Sequence, residues 1–202
     1  MSKIYLDNAA TTQVDKEVLK AMEPFFCDIF GNASSLHSFG QEASSAVENS
    51  REKIADFLNC KSEEVIFTSG ATEANNIAIQ GLVKEGDHII TTSIEHPAVL
   101  ETCQYLEKKG VEVSYVKPQS DGVIKPEDVQ KEIKDNTVLI SIMYANNEIG
   151  TIQPIKEIGE IIKDKNIVFH TDAVQATGYL DMDVEKLNVN LLSLINTSFS
   201  PL

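Results

Sequence analysis

Four short stretches of the chain carry side chains able to bind an anion, move a proton or face a buried cation. "TSGATEANN" (68–76) is a small-residue turn that opens a helix, and the free N–H groups at Ala71 and Thr72 suit a phosphate. The same turn also serves as a plain helix cap. "SIEHPAV" (93–99) places Glu95 and His96 just ahead of a helix, where an imidazole either carries protons or is an inert surface residue. "YANNEIGTIQP" (144–154) crowds Asn146, Asn147 and Glu148 between two apolar runs, although turn chemistry alone also accounts for the asparagines. In "NIVFHTDAVQATG" (166–178) an apolar run leads into His170, Asp172 and Gln175 and then into a small-residue turn. An acid at the end of a buried strand needs a partner.

The elements that must position these residues follow from the hydrophobic pattern. From about Glu64 onward, short β-branched runs alternate with helical patterns, the signature of parallel βαβ units. "EVIFT" (64–68), "HIITT" (88–92), "VEVSYV" (111–116), "TVLISIMYA" (137–145) and "NIVFHTD" (166–172) are the predicted strands, with a further strand-like run at "VNLLSL" (189–194). Between them helices are predicted over Ala71 to Lys84, with Ala74, Ile77, Ala78 and Leu82 on one face, and over Pro97 to Lys109, Pro126 to Lys134 and Pro154 to Asp164. Two helices precede the first strand, Asp15 to Phe26 and a longer one from Ser38 to Leu58 with Ala43, Val47, Ile54 and Phe57 at helical spacing. In a parallel sheet ligands bind beyond the carboxyl ends of the strands, which is where all four chemical stretches fall.

Composition narrows the partners. Thirty-one acidic against 17 basic side chains give a net charge of -14, which repels nucleic acid and anionic membrane surfaces. No stretch has the length and apolarity of a membrane span. Cys27, Cys60 and Cys103 are too far apart for a CxxC pair and read as free thiols of a reducing cytoplasm. The four histidines show no metal-ligand spacing, and neither a G-x-G-x-x-G nor a Walker-type P-loop is present.

A phosphate-cradling helix start, a histidine, an amide and a lone buried acid together fit pyridoxal 5'-phosphate. Its phosphate sits on helix N–H groups, its ring stacks on an aromatic side chain, and a carboxylate keeps its pyridine nitrogen protonated. Asp172 is the candidate for that carboxylate, and a buried acid facing a cation stays ionised. The motifs "YLDNAATT" (5–12), "FGNASSLHSFG" (30–40), "FTSGATEANN" (67–76), "EHPAV" (95–99), "YANNEIGTIQPI" (144–155) and "FHTDAVQATG" (169–178) resemble those of the class V aminotransferase family, within it the NifS/IscS-like cysteine desulfurases. The resemblance implies an α/β fold: the large domain of the type I fold of pyridoxal-phosphate-dependent transferases, a mostly parallel sheet flanked by helices, here incomplete. It implies that Ala71 and Thr72 bind the phosphate and that His96 stacks on the ring and moves protons. It further implies that Asn147 contacts the ring oxygen or the substrate carboxylate, that Asp172 faces the ring nitrogen and that Gln175 bonds the ring hydroxyl. The implied chemistry is removal of sulfur from L-cysteine, leaving alanine and an enzyme persulfide that feeds iron–sulfur cluster assembly. A homodimer and an iron–sulfur scaffold or other sulfur-acceptor protein are the implied partners.

The chain departs from that family at its end. The family's cofactor lysine follows a strand like "VNLLSL", but here the chain reads "INTSFSPL", and Ser198 falls where the lysine belongs. A serine cannot form a Schiff base. The persulfide cysteine of the family belongs to a loop further along, and none of the three cysteines matches it. Residues 1–14 are expected to be an N-terminal segment that packs on a small domain missing here, and residues 15–202 a partial cofactor-binding domain. The family also inserts an antiparallel strand beside the first strand, without which "EVIFT" is expected to lose a neighbour and the chain to be aggregation-prone or only marginally stable. The abrupt change from Ile195 is the mark of a frameshift, a premature stop or an assembly error. A non-catalytic interaction fragment and a related lyase or aminotransferase are the alternative readings.

Overall fold

A computed structural model of the protein describes residues 4–195, which form two compact units, 4–67 with 181–183 and 68–180 with 184–195. Ser198 lies outside the described residues.

The first unit is helical. The helix predicted over Asp15 to Phe26 is two helices, α1 (Lys16–Met22) and α2 (Pro24–Cys27). Asp15 caps α1 by accepting from the Glu17 N–H at 2.7 Å, and Pro24, which has no N–H to extend the ladder, opens α2 instead. Helix α3 (Ser38–Leu58) has the predicted bounds, beginning at a His37 cap and ending at Asn59 in the left-handed conformation. At Gly40 an added Cβ would lie 2.2 Å from the Ser35 carbonyl oxygen, so only glycine lets the "SSLHS" loop fold this closely over the helix start. Burial on α3 falls on Gly40, Ala55 and Leu58, while Val47 of the predicted stripe is exposed and Ala43, Ile54 and Phe57 are half-buried.

"EVIFT" is not a strand. Ser62–Glu64 form a 3-10 turn, and residues 65–68 enter no ladder because no described strand lies alongside to pair with them. The Arg51 guanidinium takes the Val65 carbonyl instead and lies 4.9 Å from the Phe67 ring centroid, while Ile66 is left 72% exposed.

The second unit is built on five parallel strands, β1 (His88–Thr92), β2 (Glu112–Val116), β3 (Thr137–Ser141), β4 (Val168–Asp172) and β5 (Leu191–Ser193), in the order β2-β1-β3-β4-β5. The β3 ladder stops short of its predicted end, but the chain continues alongside β4 as the Ile142 and Tyr144 N–H groups donate to the His170 and Asp172 carbonyls at 3.1 and 2.8 Å. Five helices accompany the sheet: α4 (Ala71–Gln80), α5 (Pro97–Glu107), α6 (Pro126–Lys131), α7 (Ile155–Ile162) and α8 (Val184–Leu187). Four of them are a few residues shorter than predicted.

Strand order dictates where these helices go. The step from β1 to β2 runs one way along the sheet and the steps from β2 through β5 run the other, so right-handed crossovers put α5 on one face and α6 and α7 on the opposite face. Ile79 of α4 and Val99, Cys103 and Leu106 of α5 pack with Ile89 and Leu139 of the sheet, and Ile155, Ile158 and Ile162 make the buried face of α7. The predicted face of α4 is wrong by one position: Asn75 and Ile79 are buried, whereas Ile77 and Leu82 are exposed. An amide, which the hydrophobic pattern discounts, occupies the buried face. None of the described helices is long and apolar enough to cross a membrane.

Candidate functional site

A doubly wound sheet opens a crevice where its strand order reverses, at the carboxyl ends of the two strands whose following loops diverge. Here that point lies between β1 and β3, and the loops leaving them are Ser93–His96 and Ile142–Thr151. Asn146 clasps the two loops together. Its Nδ2 donates to the Ile94 carbonyl at 2.8 Å, and its Oδ1 accepts from the Glu148 and Ile149 N–H groups, both at 2.9 Å. Gly150, at φ 72°, supplies the left-handed residue that closes this turn. Asn146 is therefore a turn residue, and Asn147, half-buried beside it, makes no side-chain hydrogen bond to another described residue.

Asp172 ends β4 next to this crevice and is 6% exposed. Its Oδ2 accepts from Asn75 Nδ2 at 2.7 Å and its Oδ1 from the Val174 N–H at 3.1 Å, so both oxygens are held by N–H donors that suit an ionised carboxylate. Because Asn75 lies on the buried face of α4, the same bond fixes the amino end of α4 over the carboxyl end of the sheet. That end presents the first-turn N–H groups of Ala71 and Thr72, which have no partner within the helix. Thr68 Oγ1 donates to the Gly70 carbonyl at 3.0 Å and the Glu73 carboxylate accepts from the Ser69 N–H at 2.6 Å, which shapes the turn and holds the Glu73 carboxyl below its usual range. The position a Cβ would take at Gly70 has no atom within 4 Å, so the space at this helix start is open.

Glu95 and His96 follow β1. Glu95 is buried, and its Oε1 accepts from Thr92 Oγ1 at 2.6 Å and from the Met143 N–H at 2.9 Å. Burial, with the charge of Asp172 adding to it, raises its carboxyl from 4.5 to about 8. His96 is exposed and caps α5, its Nδ1 accepting from the Ala98 N–H at 3.1 Å, which puts the ring proton on the outward Nε2. Gln175 is half-buried on the turn after β4. His170 is fully buried between Ser141 Oγ (2.8 Å) and Ser193 Oγ (3.0 Å), and burial pushes it down to about 4, so it is a neutral part of the core.

Three buried side-chain polar atoms have no partner among the described residues: Asn75 Oδ1, Thr91 Oγ1 and Glu95 Oε2. Thr91 pairs with Ser141 in the register that sets Ser141 beside His170, so all three belong to the carboxyl end of the sheet. Unpaired buried polar atoms are rare, and each calls for a water, an ion, a ligand or a chemical role to account for it. With the open helix start, the buried Asp172 carboxyl and the exposed imidazole, this donor set fits a ligand that carries a phosphate and a cationic ring. No cluster of described residues is suited to hold a metal ion.

Sequence reasoning located Ala71, Thr72, His96, Asn147, Asp172 and Gln175, and the structure brings all six to the carboxyl end of one sheet. It missed Asn75 and gave Glu95 no role. The signal for Asn75 was its spacing, four residues before Ile79 on a helix that has to bury one face. For Glu95 it was an acid three residues beyond a strand that is buried throughout.

The family model described as Aminotransferase class-V matches residues 4–194. Cysteine desulfurase IscS of Dictyoglomus turgidum is 52% identical over 196 residues, covering 95% of this chain and 50% of that protein. Cysteine desulfurase IscS of Methanosarcina thermophila is 52% identical over 200 residues, covering 97% of this chain and 50% of that one. Among solved structures, SspA in complex with cysteine superposes with a TM-score of 0.92 at 43% identity, over 98% of this chain and 58% of that one. The chain spans about half the length of the curated relatives it matches.

Proposed function

We propose a function from one premise: the chain belongs to the aminotransferase class-V family. The carboxyl end of its sheet is read as a pyridoxal 5'-phosphate site, and the chain as the cofactor-binding half of a cysteine desulfurase that takes sulfur from L-cysteine. The observation that carries this reading is Asp172, buried at the end of β4 and fixed by Asn75 beneath the open start of α4. When bound, pyridoxal phosphate supplies an electron sink for a substrate amino acid.

The chain's own residues supply the rest. Ala71 and Thr72 N–H groups, at the positive end of α4, hold a phosphate dianion. Asp172 holds the proton on a ring nitrogen, and Asn75 fixes its second oxygen so that the carboxylate cannot turn away. His96, with Nδ1 engaged by the Ala98 N–H, would stack on the ring and carry a proton at Nε2. Asn147 would contact the ring oxygen or the substrate carboxylate, and Gln175 would bond the ring hydroxyl. In the whole enzyme a homodimer, a cytoplasmic location and transfer of sulfur to an iron–sulfur scaffold complete the reading. No described residue of this chain is assigned the Schiff base or the persulfide, so the chain alone is expected not to turn over.

Titration of the chain with pyridoxal 5'-phosphate, followed by circular dichroism in the cofactor's absorption band, tests the reading. An induced signal that Asp172→Ala abolishes is expected, and no signal with the unaltered chain refutes the cofactor assignment. Alanine released from cysteine above a no-protein control refutes the expected lack of turnover.

A further inference from the structure

Two carboxyl groups are buried at the carboxyl end of the sheet, and they are bonded differently. Asp172 accepts one N–H at each oxygen, from Val174 at Oδ1 and from Asn75 at Oδ2. Glu95 takes both of its bonds, from the Thr92 hydroxyl and the Met143 N–H, at Oε1. Its Oε2 has no partner among the described residues, and the residue is only 4% exposed. A bare carboxylate oxygen in such a place is far more costly than a neutral hydroxyl, and the negative charge of Asp172 opposes a second one nearby. The Met143 N–H that bonds Glu95 and the Tyr144 N–H that bonds the Asp172 carbonyl are consecutive in the chain, so the two acids flank one short stretch of backbone.

We propose that Glu95 and Asp172 form a coupled pair that holds one negative charge, with the proton on Glu95 Oε2 and the charge on Asp172, and that a cation docking on Asp172 releases the Glu95 proton to solvent. Only the O–H bond of Glu95 breaks, and the charge brought in by the cation balances the proton that leaves. Burial, then the charge of Asp172, holds the Glu95 carboxyl at about 8, against the lowering effect of the Thr92 and Met143 bonds. The other ionisable group facing Glu95 is the buried Cys103 thiol of α5, which burial pushes up to about 12 and so keeps neutral. His96 follows Glu95 in the chain, with its ring exposed and its Nδ1 turned to the Ala98 N–H. Glu95 thus acts through Asp172, as a positioning residue that sets the charge of the site before a ligand arrives. Bound cation and bound proton compete, so affinity for a cationic ring rises as pH rises toward about 8 and proton release fades above it.

The ligand arm of this proposal rests on the proposed cofactor reading, whereas the titration of the unliganded pair does not. The test is carbon-13 NMR of the chain labelled at glutamate Cδ, with Glu95→Gln identifying the resonance. In the unliganded chain a Glu95 midpoint near 8 is expected. Asp172→Asn is expected to lower it. Pyridoxal 5'-phosphate is expected to lower it too, with proton release seen as a buffer-dependent heat of binding, and its deaza analogue, which lacks the ring nitrogen, is expected not to. A Glu95 midpoint in the ordinary carboxylate range overturns the pair, and so does a high midpoint that neither Asp172→Asn nor bound cofactor moves. If Asp172→Asn fails to fold, the midpoint of the unaltered chain still decides. A high midpoint that falls on Asp172→Asn, in a chain that binds no pyridoxal phosphate, supports the pair and refutes the cofactor reading alone.

Discussion

Replacing Glu95 by glutamine is expected to change how the stability of the sheet unit depends on pH. Glu95 is raised in the folded chain from 4.5 to about 8, so its protonated form contributes stability that is fully present below 4.5 and lost as pH rises to about 8. His170 is lowered from 6.5 to about 4, so its contribution is fully present above 6.5 and lost as pH falls toward 4. Between 4.5 and 6.5 the two effects oppose each other and nearly cancel. In Glu95→Gln the amide oxygen still accepts from Thr92 and Met143, but the titration is gone. Relative to the unaltered chain, the stability of the variant should therefore rise with pH by about 1.4 kcal/mol per unit from 4.5 to about 8, about 5 kcal/mol in all. The variant should also reveal the acid loss of His170, about 3 kcal/mol from 6.5 down to 4. Urea unfolding at half-unit pH steps, followed by far-ultraviolet circular dichroism, measures both slopes. Parallel curves for the two proteins would refute the burial argument for Glu95, and a variant with no acid loss would refute the one for His170.

Three other outcomes follow from the same contacts. Asn75→Leu leaves Asp172 Oδ2 without its donor and should cost about 1–3 kcal/mol in urea unfolding while weakening any ligand that binds at Asp172. Asn146→Ala removes the clasp between the loops after β1 and β3, and limited proteolysis should then cut at 147–150, where the unaltered chain resists. Thiol labelling of the folded chain should modify exposed Cys27 and spare Cys103, which is fully buried and pushed up to about 12, until urea opens the core.

What could be read from the sequence divides along physical lines. Strands β1 to β4 and helix α3 were legible because their apolar runs are bounded by glycine, proline or capping residues that act locally. "EVIFT" has the same local signal as β1, yet β1 has neighbours on both sides and residues 65–68 pair with no described strand. A strand is a property of a pair, and single-chain periodicity cannot supply the partner. The four chemical stretches were legible because parallel strands deliver their carboxyl ends to one edge. Asn75 was not, since a buried amide is invisible to a pattern that scores apolar residues and its reason for being there is Asp172, 97 residues away. Glu95 was visible as a residue but not as an acid that keeps its proton, because that depends on which of its oxygens finds a donor.

The two ends of the sheet differ in a way that one substitution, made twice, can test. At the amino end, polar groups form a closed chain. The Lys134 N–H donates to Thr137 Oγ1 at 2.8 Å, Thr137 Oγ1 bonds His88 Nδ1 at 2.8 Å, His88 Nε2 bonds Ser114 Oγ at 3.0 Å, and Ser114 donates to Glu132 at 2.7 Å. The last donation fixes the order, so that His88 is neutral with its proton on Nε2, and burial lowers its affinity for a second one. At the carboxyl end Thr91 is equally buried, but its hydroxyl has no partner among the described residues. Threonine to valine keeps the shape and removes the hydroxyl. At Thr137 it strands the His88 Nδ1 and the Lys134 N–H, at a cost of about 1–3 kcal/mol. At Thr91 it removes a desolvated hydroxyl that has gained nothing, so stability should hold or rise by up to about 1 kcal/mol. A loss in urea midpoint at both positions would mean that Thr91 is satisfied like Thr137, and the carboxyl end would no longer stand out as the place where the sheet leaves polar atoms for a ligand.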